Sequence, residues 1–150
     1  MIRGRRHPPA AKFTRDRWLR PMLSEGQPID ILIGVVRRIP ARPKDVRAGC
    51  PLLNLAQEMS PLDEQFRKRL ESIFLEWQEG IATLLRKGQS QGTVRRDLNP
   101  DETASFLVAI VEGYATLAKN AQDAKVWKAG IRNIVEWLRS LRAPDKRKRG

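Results

Sequence analysis

The fold is decided by residues 61–87, which read PLDEQFRKRLESIFLEWQEGIATLLRK. Apolar side chains recur there every three or four positions with charged residues between them, which is the pattern of a long amphipathic helix. We expect Ser60 to cap its start, Pro61 to occupy the first helical position and Asp63 to complete a capping-box spacing. The face that must be buried consists of Leu62, Phe66, Leu70, Ile73, Phe74, Trp77, Ile81, Leu84 and Leu85.

Two more helices are predicted after this one. Asn99 is a suitable cap and Pro100 a suitable first residue, and Glu102 lies three residues after the cap. The helix that starts there is expected to run to about residue 120. A last helix is predicted over residues 123–142, because its apolar residues again follow helical spacing and a proline comes directly after it.

The chain before the long helix gives weaker signals. Apolar residues at helical spacing in residues 15–23 and 29–36 predict two short helices or one broken helix. Residues 39–49 hold two prolines among basic residues, so an exposed loop is predicted there. A short helical turn is expected at residues 52–57.

No segment alternates apolar and polar residues as a strand with hairpin turns does, and no internal repeat is visible. The predicted fold class is therefore all-α, a bundle of about five to six helices. The basic residues 1–12, which include two adjacent prolines, are expected to form a disordered leader. Residues 13–142 are expected to form the domain and residues 143–150 a basic tail.

The chain is strongly basic, with a formal net charge of +12 over 150 residues. Two thirds of that excess lies in the first 50 residues, and a second basic cluster, KRKRG, ends the sequence. Such runs are usually solvated tails that keep a protein in solution. The alternative is a nucleic-acid contact through the basic ends alone, which would be weak, independent of sequence and strongly dependent on salt.

Several classes of protein are excluded by the composition. No window reaches the roughly 18 uninterrupted apolar residues that cross a bilayer, and no apolar segment of a secretory signal follows the basic start. We therefore expect a cytoplasmic protein without a membrane partner. Cys50 and His7 are the one cysteine and the one histidine, so no disulfide, metal cluster or catalytic pairing is available. No enzyme activity, metal or cofactor is predicted.

The helix predicted from Pro100 is unusually apolar. At about 100° per residue, apolar side chains cover roughly 260° of its circumference, which is more than one packed layer buries. A second copy of the chain is the expected partner, and the alternative is that this helix is central in its own bundle. The polar arc consists of Ser105, Glu112, Thr116 and Lys119. The side assigned to a homodimer interface carries Phe106, Ala109, Ile110, Gly113 and Leu117.

The stretch GCPLLNLAQEMSPLDEQFR, residues 49–67, resembles the segment that leads into the long central helix of the ligand-binding domain in TetR-family transcriptional regulators. The connection GQSQGTVRRDLNP, the helix ASFLVAIVEGYATLAKN and the ending WLRSLR are also similar to that family in order and length. The resemblance covers residues 13–142. It implies a helical bundle that dimerises through its last two long helices, which adds Trp127, Ile131, Ile134 and Leu138 to the expected interface.

The resemblance also implies a mostly apolar pocket for a small apolar effector inside the domain. Each candidate for its wall is more often plain core, since apolar residues at helical spacing usually pack. The polar anchors expected for the effector are Asn54 or Glu58. The apolar candidates are Trp18, Met22, Leu32, Val36, Leu55, Met59, Phe66 and Trp77. Cys50 is either a small buried hydrophobe or, less often at such positions, a redox or electrophile sensor.

Members of the TetR family carry a three-helix DNA-binding unit of roughly 50 residues ahead of this domain, and the chain departs from the family there. Residues 1–12 are too few and too polar to build it. The resemblance therefore implies an effector-sensing and dimerisation domain of a truncated regulator, which would contact DNA only through a missing N-terminal domain. The alternative is a headless interaction protein that forms mixed dimers with a full-length regulator.

Overall fold

The computed structural model describes residues 10–145, and the predicted leader and basic tail fall mainly outside that range. The described chain is all-α, as predicted. In chain order its elements are α1 (Ala10–Thr14), a π-helical turn (Arg15–Leu19), α2 (Arg20–Met22), α3 (Pro28–Arg37), α4 (Pro43–Ala48), α5 (Pro51–Met59), α6 (Glu64–Ser90), α7 (Pro100–Ala121) and α8 (Ala124–Ser140).

The first three elements form one continuous helical segment with a wide turn in its middle. The amide of Arg20 donates to the carbonyl of Arg15, five residues earlier, where an α-helix would use a carbonyl four residues earlier. Pro21 follows at once and has no amide to donate, which leaves the regular ladder incomplete at this position. The segment begins at Ala10, so it includes the last three residues of the predicted leader.

Helix α4 corrects the prediction that residues 39–49 form a loop. Arg42 is extended, Pro43 is the first helical residue, and Val46 is buried. A proline is well suited to that position, because its missing amide would have no partner in the first turn of a helix anyway. Sequence reasoning treated the proline as a breaker, whereas in the structure it starts a helix.

Helix α6 was predicted correctly in kind, but its start was not. Ser60 has helical backbone angles at the end of α5, so it does not have the extended conformation of an N-cap. Asp63 is extended instead, and its carboxylate accepts the amide of Phe66 at 2.9 Å. The predicted capping site at Ser60 and Pro61 is therefore wrong by three residues.

Helix α7 begins at the predicted cap, and α8 begins within one residue of its predicted start. The side chain of Asn99 accepts the amides of Asp101 and Glu102 at 2.9 and 3.2 Å, and Pro100 is the first helical residue. The side chain of Asp123 accepts the amide of Lys125 in the same way at the start of α8.

The core lies around the second half of α6. Trp77, Ile81 and Leu85 are buried there, and Leu32 and Val36 of α3 are buried with them in the same cluster. Fully burying an aliphatic or aromatic side chain contributes about 1.5–3 kcal/mol, so this cluster dominates the packing energy. Helix α6 packs against α3, α5 and α7, and α8 closes the bundle against α3 and α7.

The connection from α6 to α7 is tied to the end of α8. The amide of Arg95 donates to the carbonyl of Leu141 at 2.9 Å, and the amide of Ala143 donates to the carbonyl of Thr93 at 3.0 Å. The side chain of Val94, between them, is fully buried.

In residues 10–145, no helix has both the length and the apolar character needed to cross a membrane.

Candidate functional site

A cavity of about 200 Å³ lies between the N-terminal helical segment, α4, α7 and α8. Its wall is mostly apolar, with a few polar groups among the apolar side chains, as is usual for small-molecule sites. A volume of this size suits a ligand of about ten non-hydrogen atoms. The lining residues are Phe13, Arg17, Trp18, Ile39, Pro40, Asp45, Val46, Ala48, Gly49, Cys50, Pro51, Val111, Glu112, Ala115, Ala118 and Trp127.

Glu112 is the one ionisable side chain that is buried among the described residues, with 7% of its surface exposed. It lies on the inner side of α7, where the helix passes the cavity. Burial raises the pKa of its carboxyl to about 7, and a hydrogen bond from the Cys50 thiol partly opposes that rise. The Oε2 atom has no hydrogen-bond partner within residues 10–145. Glu112 therefore lines the cavity with a buried carboxyl, one oxygen of which is unpaired among the described residues.

Cys50 lies beside Glu112 in the cavity wall. Burial and, to a smaller extent, the negative charge of Glu112 raise the pKa of its thiol to about 12. The thiolate is the nucleophile in thiol chemistry, and at neutral pH very little of it is present at this position. The structure therefore favours the small buried hydrophobe over the sensor.

Two tryptophans form the opposite part of the wall. Trp127 of α8 is 4% exposed, and its Nε1–H has no acceptor among the described residues. Trp18, in the π-helical turn, lies in the same wall and packs against Trp77 behind it with ring centroids 4.7 Å apart. A buried indole N–H without an acceptor is costly, so a ligand acceptor at this point would remove a penalty.

The other charged groups at the cavity are engaged elsewhere. The guanidinium of Arg17 donates to the carbonyl of Arg38 at 3.1 Å and lies 5.8 Å from the ring centroid of Phe13. Asp45 is paired with Arg42 at 2.6 Å. Among the ionisable side chains of the lining just described, Glu112 has only the Cys50 thiol as a hydrogen-bond partner and forms no ion pair within residues 10–145.

Of the residues predicted to line the effector pocket, the structure brings Trp18 to this cavity. Asn54 of α5 instead connects α5 to α4 and α7. Its side-chain amide donates to the carbonyl of Ala48, and its side-chain oxygen accepts from Lys119, both at 2.8 Å. Glu58 is exposed. The others lie outside the lining; Met22, Leu32, Val36 and Trp77 are buried in the core, and Leu55, Met59 and Phe66 are half-buried.

Sequence reasoning missed Glu112, Cys50 and Trp127 as partners in one cavity. Glu112 was placed in the polar arc of its helix, and Trp127 was assigned to the dimer interface. A usable signal was present, because a single acid stood inside the apolar run from Phe106 to Leu117. A charge in such a run is either exposed at its edge or functional.

Helix α7 presents an apolar strip on the side opposite the cavity. Phe106 is 49% exposed and Leu117 58% exposed, while Ala109 and Gly113 are exposed between them and Ile110 is half-buried. A Cβ atom added to Gly113 would have no described neighbour within 4 Å, so this part of the helix is open. The strip, Phe106, Ala109, Ile110, Gly113 and Leu117, coincides with the side assigned to a dimer interface.

The α8 half of the predicted interface needs correction. Trp127, Ile134 and Leu138 are buried within the chain, because α3 and α7 cover the apolar stripe of α8. Ile131 is half-buried and is the one predicted α8 residue that reaches the surface. The residue that extends the strip on α8 is Trp137, whose ring centroid lies 5.0 Å from that of Phe106.

Close contact between α7 and α8 depends on a glycine. A Cβ atom on Gly130 would overlap the ring of Tyr114, so the two helices can approach at this point only without one. The Tyr114 hydroxyl accepts from the side-chain amide of Asn133 at 3.0 Å.

In residues 10–145, no group of three or more His, Cys, Asp or Glu side chains is placed to hold a metal ion.

Comparison with known proteins places this geometry in a family. Residues 29–134 match the family model described as tetracyclin repressor-like, C-terminal domain. The chain is 40% identical over 65 residues to the HTH-type transcriptional repressor DhaR of Mycobacterium sp. (strain GP1), which covers 43% of this chain and 33% of that protein. It is 37% identical over 73 residues to the transcriptional regulator AcuR of Cereibacter sphaeroides, which covers 49% of this chain and 33% of that protein.

Two solved structures have the same fold. A TetR transcriptional regulator from Chloroflexus aurantiacus J-10-FL matches with a TM-score of 0.78 and 27% identity, over 90% of this chain and 70% of that one. A regulatory protein TetR from Rhodobacter sphaeroides matches with a TM-score of 0.70 and 25% identity, over 85% of this chain and 69% of that one. The matches to DhaR and AcuR span about a third of those proteins.

The relatives are transcriptional regulators and not enzymes. The family model covers well over half of the chain and includes α3 to α7 and most of α8. The chain belongs to the TetR family of transcriptional regulators, in which it corresponds to the C-terminal domain.

Proposed function

We propose that this chain is the part of a TetR-type transcriptional regulator that senses a small effector and forms the dimer. The observation that carries the proposal is the cavity, which combines an apolar wall with two buried polar atoms, Glu112 Oε2 and Trp127 Nε1, that lack partners among the described residues. Unpaired buried polar atoms are costly, and a ligand that pairs them recovers that energy. The sensing takes place in the cytoplasm.

The dimerisation surface is the strip on α7. The cavity and the strip use opposite sides of one helix, since Ala115 lies in the cavity wall and Gly113, about 200° away around the helix, lies on the open side. A ligand that displaces α7 would therefore also displace the surface that joins two copies. This is a physical route by which effector binding alters the separation of two DNA-binding units in a complete regulator.

DNA binding by the complete regulator belongs to the same proposal. The names of DhaR and AcuR, a repressor and a regulator of transcription, support it. The α7 strip would equally allow mixed dimers with a related regulator, in which this chain supplies one half. Co-purification with a longer relative would favour that second arrangement.

The effector proposal is tested by filling the cavity. Indole, p-cresol and benzyl alcohol are small enough for about 200 Å³. We expect at least one of them, at millimolar concentration, to raise the Tm of this chain, because a ligand that binds only the folded state stabilises it. Ala115→Leu, which places extra atoms in the cavity wall, should remove that rise.

Ala121→Leu is the matched control, because Ala121 is exposed at the end of the same helix. It should retain the ligand-induced rise in Tm. A rise that survives Ala115→Leu unchanged would show that the ligands bind elsewhere. No rise with any of the three molecules would contradict the binding of neutral aromatic effectors in this cavity.

A further inference from the structure

We propose that the cavity takes a small organic cation, an amine of about ten non-hydrogen atoms whose ammonium group pairs with Glu112 and whose second polar atom accepts from Trp127 Nε1. This inference rests on the proposed function, since it names the chemical class of the effector. It also differs from the expectation drawn from the sequence, which was a small apolar effector anchored by Asn54 or Glu58.

Glu112 forms no ion pair with a cation among residues 10–145. A carboxylate in an apolar interior must be paired or must carry a proton, because an unpaired buried charge is too costly. The described residues provide the Cys50 thiol as a hydrogen-bond donor and no ion pair. A ligand ammonium would supply the missing cation.

The neighbouring cations are occupied by other partners. Arg17 donates to the backbone of Arg38 beside the Phe13 ring, and the Nζ of Lys119 donates to Asn54 Oδ1 at 2.8 Å. The other acid in the wall, Asp45, already has Arg42 as a partner. In a chain with a net charge of +12, Glu112 is therefore a buried acid without a counter-ion in the part of the chain that the structure describes.

Aromatic rings form much of the wall. Trp18 and Trp127 both face the cavity, and Phe13 lies at its edge. The face of an indole ring attracts a cation, and the attraction is stronger in a desolvated site. The Trp127 N–H lies in the ring plane and attracts an acceptor instead. An amine that also carries a hydroxyl group would satisfy both.

Proton linkage gives the proposal a direction with pH. The empty site holds a proton on Glu112 up to about pH 7, since burial raises its pKa to that value. An ammonium ligand requires the ionised carboxylate, so binding below pH 7 must release the proton. The apparent affinity for the amine should therefore fall as the pH drops below 7, by about tenfold per unit at the limit.

The test compares three ligands that share a phenyl ring and a hydroxyl group. They are 2-amino-1-phenylethanol, a cation, 1-phenylethane-1,2-diol, a neutral isostere, and mandelate, an anion. Isothermal titration calorimetry of the full chain at pH 7.5 should show the amine binding about tenfold more tightly than the diol. Mandelate should bind more weakly than either.

Glu112→Gln should bind the amine and the diol about equally tightly, because it keeps the shape of the side chain and removes its charge. The matched control is Glu71→Gln, since Glu71 is exposed on α6 and its loss removes the same charge from the chain. That variant should keep the tenfold preference. Should Glu112→Gln not fold, the titration of the unchanged chain at pH 5.5 and 7.5 provides the second measurement.

The outcomes separate this inference from the proposed function. Equal binding of the diol and the amine, or tighter binding of mandelate, would overturn the cation and leave an effector cavity in place. No binding of any of the three would also overturn it, and the Tm measurements with indole, p-cresol and benzyl alcohol then decide the proposed function separately. An affinity for the amine that does not change between pH 5.5 and 7.5 would contradict the pairing with Glu112.

Discussion

Glu112 keeps its proton in the folded chain at pH values where an unfolded chain has lost it. Its pKa is about 7 in the fold against an ordinary value of 4.5, so between these values the folded state binds more protons than the unfolded state. Stability must then fall as the pH rises from 4.5 to 7 and stay level above that range, as far as this group is concerned. Its contribution is roughly 3 kcal/mol over the whole range.

Urea unfolding at pH 5 and pH 8 measures this effect. We expect the free energy of unfolding to fall by about 2–3 kcal/mol more in the unchanged chain than in Glu112→Gln, which cannot titrate there. At pH 8 the variant should be the more stable of the two. The same pH dependence in both proteins would mean that the carboxyl is ionised at its ordinary pKa.

Cys50 should react slowly with iodoacetamide and continue to gain reactivity with pH. Because its pKa is about 12, the rate should still be rising at pH 10 without a plateau. The chain unfolded in guanidinium chloride is the control, and its rate should level off close to the ordinary thiol pKa of 9.0. A plateau below pH 9 in the folded chain would show that the thiol has a low pKa, and it would support the alternative that Cys50 is a redox or electrophile sensor.

At the scale of residues, the sequence predicted more about packing than about the site. Periodicity identified Trp77 and Ile81 as core, because helical spacing reports directly which side of a helix is buried. It could not reveal that Glu112 is buried, because the side chain lies at the border between the two faces of α7. Cys50 and Trp127, which line the same cavity as Glu112, are distant from it in the sequence.

At the scale of elements, the approach of α6 to the following connection depends on Gly88. A Cβ atom there would overlap the buried, branched side chain of Val94, which has no room to move. Gly88→Ala should therefore destabilise the chain by about 1–3 kcal/mol, although alanine is the better helix former. The measurement is the midpoint of urea unfolding.

Gly34→Ala is the control for that change. Gly34 lies inside α3, and a Cβ atom there would meet no described atom within 4 Å. Alanine should stabilise the chain at this position by up to about 1 kcal/mol, because it lowers the entropy of the unfolded state and favours the helix. Equal effects of the two substitutions would contradict the close contact at Gly88.

The starts of the helices show what local sequence decides and what it does not. Asn99 with Pro100 was identified correctly because no competing cap stood nearby. Near α6, Ser60 and Asp63 were both suitable, and the choice depended on where α5 ended. For α4, a proline could end one helix or begin another, and only the packing of Val46 decides between them.

At the scale of the whole molecule, the oligomeric state tests the α7 strip. Light scattering on the eluting chain should give a mass of twice 17.2 kDa at micromolar concentration. Leu117→Glu should give a monomer, because it places a charge in the apolar interface. Leu75→Glu is the matched control, since Leu75 on α6 is 57% exposed against 58% for Leu117. A monomeric mass for the unsubstituted chain would contradict the proposal that the α7 strip forms a homodimer interface.

The fold class and the three long helices were predictable from periodicity and from the resemblance to TetR-family regulators, because both depend on features repeated along many residues. The cavity was not. Its wall draws residues from position 13 to position 127, so it exists only once four parts of the chain have packed together. Helix spacing describes one element at a time and does not contain that information.

The π-helical turn at Arg15–Leu19 has an evolutionary consequence. Such a turn is an α-helix with one residue added, and one residue rotates the part of a helix before it by about 100° relative to the part after it. Deletion of a single codon in this turn would restore regular geometry, and it would turn Phe13 relative to Trp18 in the cavity wall. The hydrophobic periodicity of all later helices would be untouched. A single-codon deletion would thus reshape the cavity wall on an otherwise unchanged scaffold.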